Sequence, residues 1–265
     1  MEVSIDNTKW YDRIWAAFIF FTRLPLWRLH QPPNKEAYKS VVEHWPLVGW
    51  LTGSCMAAVL YFGCYVFPYE IAVILAILTR LLITGALHED GLADFIDGFG
   101  GGGHNRQRIL DIMKDSHIGT YGVIGLIVYF LLFFFALYTM EPADAALSVL
   151  MADPFAKMVT AQIVQMMPYA RTEETAKNRT VYRKFNIATG IGLAVQGLLP
   201  MGFYIYYMND RTDWQLLVFL PALTMYMLYL LIWKRLRGYT GDCCGAIFLI
   251  VELVTLLTAC FYLQT

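Results

Sequence analysis

Seven windows of this chain are apolar enough and long enough to cross a lipid bilayer, and that constrains the fold before any motif is read. A hydrocarbon core about 30 Å thick needs about 20 apolar residues per helix. Residues 45–67, 121–139, 187–208 and 214–233 carry no charge at all; 71–87 carries only Arg80, and 244–263 only Glu252. The window 145–167 is less clean, with Asp153, Pro154 and Lys157 close together. Each span must be helical, because hydrocarbon offers the backbone no other hydrogen-bond partner. Residues of the set AVILMFWYC make up 58% of the 265, charged residues 15%. A single soluble core of this size cannot hide that much apolar surface. The expected fold is an all-α polytopic membrane bundle of about seven transmembrane helices, forming one membrane-embedded domain.

The connections alternate in charge. Residues 68–70 and 140–144 hold no Lys or Arg, and 209–213 only Arg211. Seventeen of the twenty basic residues fall in 1–44, 88–120, 168–186 and 234–243. The positive-inside rule puts these segments and the N-terminus in the cytoplasm. Deleting the span at 145–167 would move five basic residues, in 168–186, to the far side, so the alternation supports seven spans. The run from Ile14 to Phe21 is too short to cross. Trp10, Tyr11, Trp15 and Trp27 flank or punctuate it, which predicts an N-terminal helix lying at the interface, with a re-entrant segment as the alternative. No cleavable signal peptide is expected at the polar N-terminus. A net charge of −1 gives no basic field for nucleic acid. The five cysteines form no CxxC pair and predict neither a disulfide scaffold nor a zinc site.

Spans do not explain residues 88–120, HEDGLADFIDGFGGGGHNRQRILDIMKDSHIGT. This connection holds six carboxylates: Glu89, Asp90, Asp94, Asp97, Asp111 and Asp115. Asp90, Asp94 and Asp97, at i, i+4 and i+7, share one face of any helix they occupy. Like charges there repel unless a cation joins them. Carboxylates without thiols suit a hard ion, Mg²⁺ before Mn²⁺; a solvated acidic face is the competing reading. Gly98 and Gly100 to Gly103 should end that helix. The run, with Gly101 and Gly102 at its centre, is as well suited to a hinge as to a phosphate cradle. Asn105 is an N-cap for a second helix over roughly 106–115. Acids for a metal and Lys114 or Arg171 for phosphate suggest phosphoryl transfer, in which a protein mainly positions groups and neutralises charge.

Other polar residues are open to two readings. Arg80 is an intramembrane charge and requires a partner inside the bundle. Asp153 and Lys157, at i and i+4, either neutralise each other or serve a site. Arg171 in PYAR is either a positive-inside anchor or a phosphate contact. Asp242 in GYTGD opens the last span beside two glycines. His88, His104 and His117 are candidate bases. A transporter using Arg80, Asp153, Lys157 and Glu252 as a relay is the rival class, opposed by the placement of the main charge cluster outside the spans.

The stretch HEDGLADFIDGFGGGG with RILDIMKDSHIGTYG resembles the cobalamin synthase family, the adenosylcobinamide-GDP ribazoletransferases. FFTRLPLW, HWPLVGW, MMPYAR and LRGYTGDCCGA agree in order, so the likeness runs from about residue 18 to 255. Asp111 stands where the family pattern has Glu. The resemblance implies a multi-pass inner-membrane enzyme. It would join adenosylcobinamide-GDP to α-ribazole, or to α-ribazole 5′-phosphate, releasing GMP with Mg²⁺ as cofactor. It also implies roles: Asp90, Asp94, Asp97 and Glu89 toward the metal, and Asp115, His88 and Lys114 in the chemistry. Arg80, Gly101, Gly102, Lys114 and Arg171 would contact substrate. DxxDG at 94–98 with DxxxD at 111–115 is also similar to the CDP-alcohol phosphotransferases, the alternative enzyme class. A homo-oligomer stays open, since nothing here fixes the number of subunits.

Overall fold

A computed structural model describes residues 8–29, 31–171 and 180–264; Lys177 and Arg179 of the basic segment at 168–186 lie outside them. Helix α1 (Trp10–Phe21) packs beside the short α2 (Lys35–Tyr38), whose cap Asn34 accepts from the Ala37 N–H at 2.9 Å. The bundle follows: α3 (Trp45–Gly63), α4 (Tyr69–Thr84), α5 (Leu87–Gly101), α6 (Arg106–Lys114), α7 (Thr120–Tyr138) and α8 (Pro142–Ala161). It closes with α9 (Ile163–Met166), α10 (Ile187–Met208), α11 (Trp214–Leu236) and α12 (Gly241–Gln264). Among the described residues six helical stretches are long and apolar enough to cross a membrane, and a seventh if the bent pair α4–α5 counts as one span.

The alternation of the connections is realised as two ends. Arg183 N–H bonds the Lys39 carbonyl, Arg106 bonds the Leu236 and Ala170 carbonyls, and Tyr239 pairs with Pro168. These contacts gather the four basic segments beside α1. At the opposite end Tyr69 donates to the Leu137 and Met140 carbonyls, and Arg211 pairs with Asp144. Burial sorts the helices by role. In the stretch formed by α8 and α9, 78% of the apolar window is buried, against 28% in α7. A helix apolar on every side is a core helix or a lipid-facing one; here α8 is the core, and α7, α10 and α11 present Ile127, Leu131, Phe203 and Phe219 outward.

The window at 71–87 departs from expectation. Its helix α4 has 16 residues, roughly 24 Å at 1.5 Å per residue. Gly85 (φ 64°) and Ala86 (φ 54°) then turn the chain, and α5 leaves at 90°. Residues 88–120 are accordingly two packed helices and short joints rather than a free loop. Asn105 caps α6 as expected, its Oδ1 accepting from the Arg108 N–H at 3.0 Å. The glycine run does not stop the helix at Gly98; α5 continues to Gly101. Tertiary packing overrides the propensity: a Cβ at Gly98 would stand 2.6 Å from Met113 Cγ of α6, and one at Gly100 2.7 Å from Tyr121 Cγ of α7. The run lets three helices approach closely.

Inside the bundle the isolated charges find each other. Arg80 donates to Glu252 at 2.5 Å and to the Tyr129 hydroxyl at 2.8 Å, with Glu89 3.7 Å away. Lys157 pairs with Asp153, whose other oxygen accepts from Thr52 at 2.6 Å. Arg80 also lies over the Phe133 ring and Lys157 over Phe248. None of the five cysteines is in a disulfide.

Candidate active site

The 90° turn after Ala86 brings the start of α5 against the start of α12. The contact is close because both helices carry glycine there. A Cβ at Gly91 would meet the Asp242 backbone at 3.1 Å, and one at Gly245 the His88 carbonyl at 3.1 Å. Asp90 and Asp242, 152 positions apart, therefore become neighbours along one cleft. The segment Tyr169–Arg171 is held beside them by a bridge from Tyr169 to Tyr239 and by Ala170 N–H to the Tyr239 carbonyl at 2.7 Å.

A pocket of about 150 Å³ opens there at the α1 end of the bundle. Asp90, Asp242 and Arg171 carry its charge, while Phe21, Trp45 and Tyr182 supply aromatic wall. One Arg171 N–H is committed to the Leu110 carbonyl at 2.6 Å, which orients the guanidinium and ties it to α6. Burial pushes the Tyr169 hydroxyl up to about 12 and raises that of Tyr182, so both keep their protons at neutral pH. His88 lines the same pocket, 2% exposed, stacked near Phe21 and Trp45.

The structure thus brings three of the sequence-predicted residues together: Asp90, His88 and Arg171. Asp94 follows Asp90 by one turn of α5 on the same helix face. The other candidates are elsewhere. Asp97 caps α7: its two oxygens accept from Gly119 N–H at 2.7 Å and Gly122 N–H at 2.9 Å. Glu89 is buried and turned toward Arg80, and Arg80 belongs to the intramembrane network rather than to the pocket. Gly101 and Gly102 lie under α6, against Ile112 and Ile109. Lys114 is exposed, and Asp115 bonds His117 Nδ1 at 2.7 Å on the surface. That bond holds the Asp115 carboxyl below the usual range.

Sequence reasoning named Asp242 among the polar residues that could converge on the site but assigned it no task, and it gave no role to Tyr169, Tyr182 or Trp45. The available signal for Asp242 was Gly238 shortly before it, which allows the backbone of Pro168–Ala170 to approach: a Cβ there would lie 2.7 Å from the Pro168 carbonyl oxygen.

Among the described residues no group of three or more His, Cys, Asp or Glu converges to cage a metal. The donor set still fits Mg²⁺. This ion keeps several waters and is ordinarily held by one or two carboxylates together with substrate phosphates, and two carboxylates on one cleft beside an arginine make such a partial shell.

A family model described as cobalamin-5-phosphate synthase matches residues 13–260. An adenosylcobinamide-GDP ribazoletransferase of Leptospira interrogans is 32% identical over 246 residues, covering 89% of this chain and 90% of that protein. Proteins of the same name from Vibrio cholerae and Vibrio parahaemolyticus are 32% and 33% identical, each covering 94% of this chain and 93% and 91% of their own length. No solved structure matches. With a family model matched over nearly its whole length and relatives aligned over about nine-tenths of it, the chain belongs to the cobalamin-5-phosphate synthase family.

Proposed function

We propose that this protein completes the nucleotide loop of cobalamin, joining adenosylcobinamide-GDP to α-ribazole or its 5′-phosphate and releasing GMP. The family and the names of its relatives support the reaction. The observation that carries the site is the convergence of Asp90 and Asp242 from two helices beside Arg171.

In this reading the ribazole 3′-oxygen bonds to the phosphorus attached to the cobinamide aminopropanol. The pyrophosphate P–O bond breaks, and GMP departs with the electron pair. Asp90 and Asp242, with Asp94 one turn away, would hold Mg²⁺, which supplies charge neutralisation on the pyrophosphate. Arg171 offsets the charge gathering on the leaving GMP, the usual task of a guanidinium in phosphoryl transfer. The hydroxyl proton passes to a rim carboxylate. Tyr169 and Tyr182, protonated at neutral pH, donate hydrogen bonds to phosphate or ribose oxygens. The aromatic wall keeps bulk water from competing with the ribazole hydroxyl for phosphorus.

The charge asymmetry of the connections supports an inner-membrane protein with α1 and the pocket on the cytoplasmic side. The test is GMP release from adenosylcobinamide-GDP by the purified protein, with and without α-ribazole and with Mg²⁺ present or chelated. Release that needs both is the expected result. CMP release from a CDP-linked lipid instead would assign the chain to the CDP-alcohol chemistry.

A further inference from the structure

Arg106 opens α6 and does not line the pocket, yet it grips the segment that carries Arg171. Its Nε–H donates to the Leu236 carbonyl at 2.7 Å, and an Nη2–H to the Ala170 carbonyl at 2.6 Å. Leu236 is the last residue of α11, so its carbonyl has no donor within that helix. Ala170 immediately precedes Arg171. The Ala170 N–H already donates to the Tyr239 carbonyl at 2.7 Å, so both backbone groups of residue 170 are committed. A return contact runs from Arg171 to the Leu110 carbonyl at 2.6 Å. Arg106 and Leu110 stand about one turn apart on α6. The helix therefore holds the segment twice, once through its backbone and once through the Arg171 guanidinium. The base of the grip is firm. Ile109 and Met113 of α6 are fully buried against Gly102 and Gly98, and Arg235 of α11 donates to the Phe99 carbonyl of α5 at 2.8 Å.

We infer that Arg106 is a positioning residue for the transfer: its guanidinium edge fixes the backbone at Ala170 and thereby aims Arg171 into the cleft beside Asp90 and Asp242. The inference rests on the role proposed above for Arg171. Two carbonyls from separate segments are gripped by two donors on one edge of a planar fork. An ammonium group is a point charge and cannot reproduce that edge. Moving a reacting or stabilising group by about 1 Å can cost about 10²-fold in rate. A backbone bond one residue from Arg171 is therefore enough to control what its charge contributes.

Arg106→Lys keeps the charge and loses the edge. The kcat of GMP release should fall about 10- to 100-fold, with KM for adenosylcobinamide-GDP and for α-ribazole within about twofold. In an Arg171→Ala background the same change should move kcat by less than about twofold, because residues acting as one unit are not additive. Near-normal turnover by Arg106→Lys would mean that charge alone suffices and overturns the inference. So does an undiminished effect of Arg106→Lys in the Arg171→Ala background, or a rise in KM with kcat unchanged. A readout on the unaltered protein covers a variant that fails to fold. With isotopically labelled arginine, the Arg106 Nε–H should exchange with solvent about 10-fold more slowly than that of the exposed Arg108, the scale of a hydrogen bond from a charged group. Equal exchange rates overturn the grip. Full activity of Arg171→Ala would overturn the inference together with the role given to Arg171, while absence of GMP release by the unaltered protein with any acceptor would sink the transfer itself.

Discussion

Two clusters of charge sit a few turns apart in this molecule and obey opposite rules. In the bundle interior Arg80, Glu252, Asp153 and Lys157 are each 1% exposed or less, and each is matched by an opposite charge. At the α1 end Asp90, Asp242 and Arg171 face a cleft, and their neighbours are aromatic rings with unpaired nitrogens. An intramembrane charge is costly unless partnered, so the first cluster is explained by its own closure. The second lines an open pocket, where a ligand can reach it. Charge in a membrane protein marks a site where it lines an open cleft, not simply where charge is dense.

That contrast breaks most sharply at the rim. Asp90→Asn or Asp242→Asn should lower GMP release on the order of 10²–10³-fold, as losing one preorganised electrostatic group at a reacting centre does, with unchanged yield and detergent melting. In the interior the outcome should be reversed. Arg80→Met leaves Glu252 buried without its cation, at about 3–5 kcal/mol for a broken buried pair. The double change Arg80→Met with Glu252→Met should recover most of that stability and retain turnover. A stable but inactive double variant would move the network into the chemistry. Asp97 lies between the two regimes. As a cap on α7 its change to Asn should cost about 0.5–2 kcal/mol and leave KM and kcat near their original values; activity lost without stability would restore it as a metal ligand.

Sequence periodicity made the spans legible because bilayer thickness and backbone hydrogen bonding leave few alternatives. Asn105 was legible because capping is local. That Arg80 needs a partner could be read; that Glu252 provides it could not, since the pairing spans 172 positions. The spacing of Asp90, Asp94 and Asp97 reports a shared helix face but not what stands opposite each residue. For Asp97 it is the first turn of α7; for Asp90 it is Asp242, brought in by a bend at Gly85 and Ala86 that no periodicity encodes. The glycine run misled for a related reason: intrinsic propensity favours ending α5, and the close packing of α6 and α7 decides otherwise.

The smallest expected effect belongs to Asp115, which shared the sequence signal of the acidic cluster but lies outside the pocket. Its carboxyl is exposed and held low mainly by the side-chain bond from His117, then by the His117 backbone N–H. A depressed carboxyl contributes its interaction above the ordinary aspartate value of about 3.9 and loses it as pH falls through the lower folded value. Between about pH 6 and 8 the group is therefore ionised throughout and adds no slope of its own. Asp115→Asn should leave the pH profile of GMP release unchanged in that range and turnover within about twofold, the scatter ordinary for an exposed substitution. A variant that instead lost an acidic limb or fell by the factor expected for Asp90 would mean that α6 swings inward during the reaction, carrying Asp115 from its surface bond with His117 to the rim.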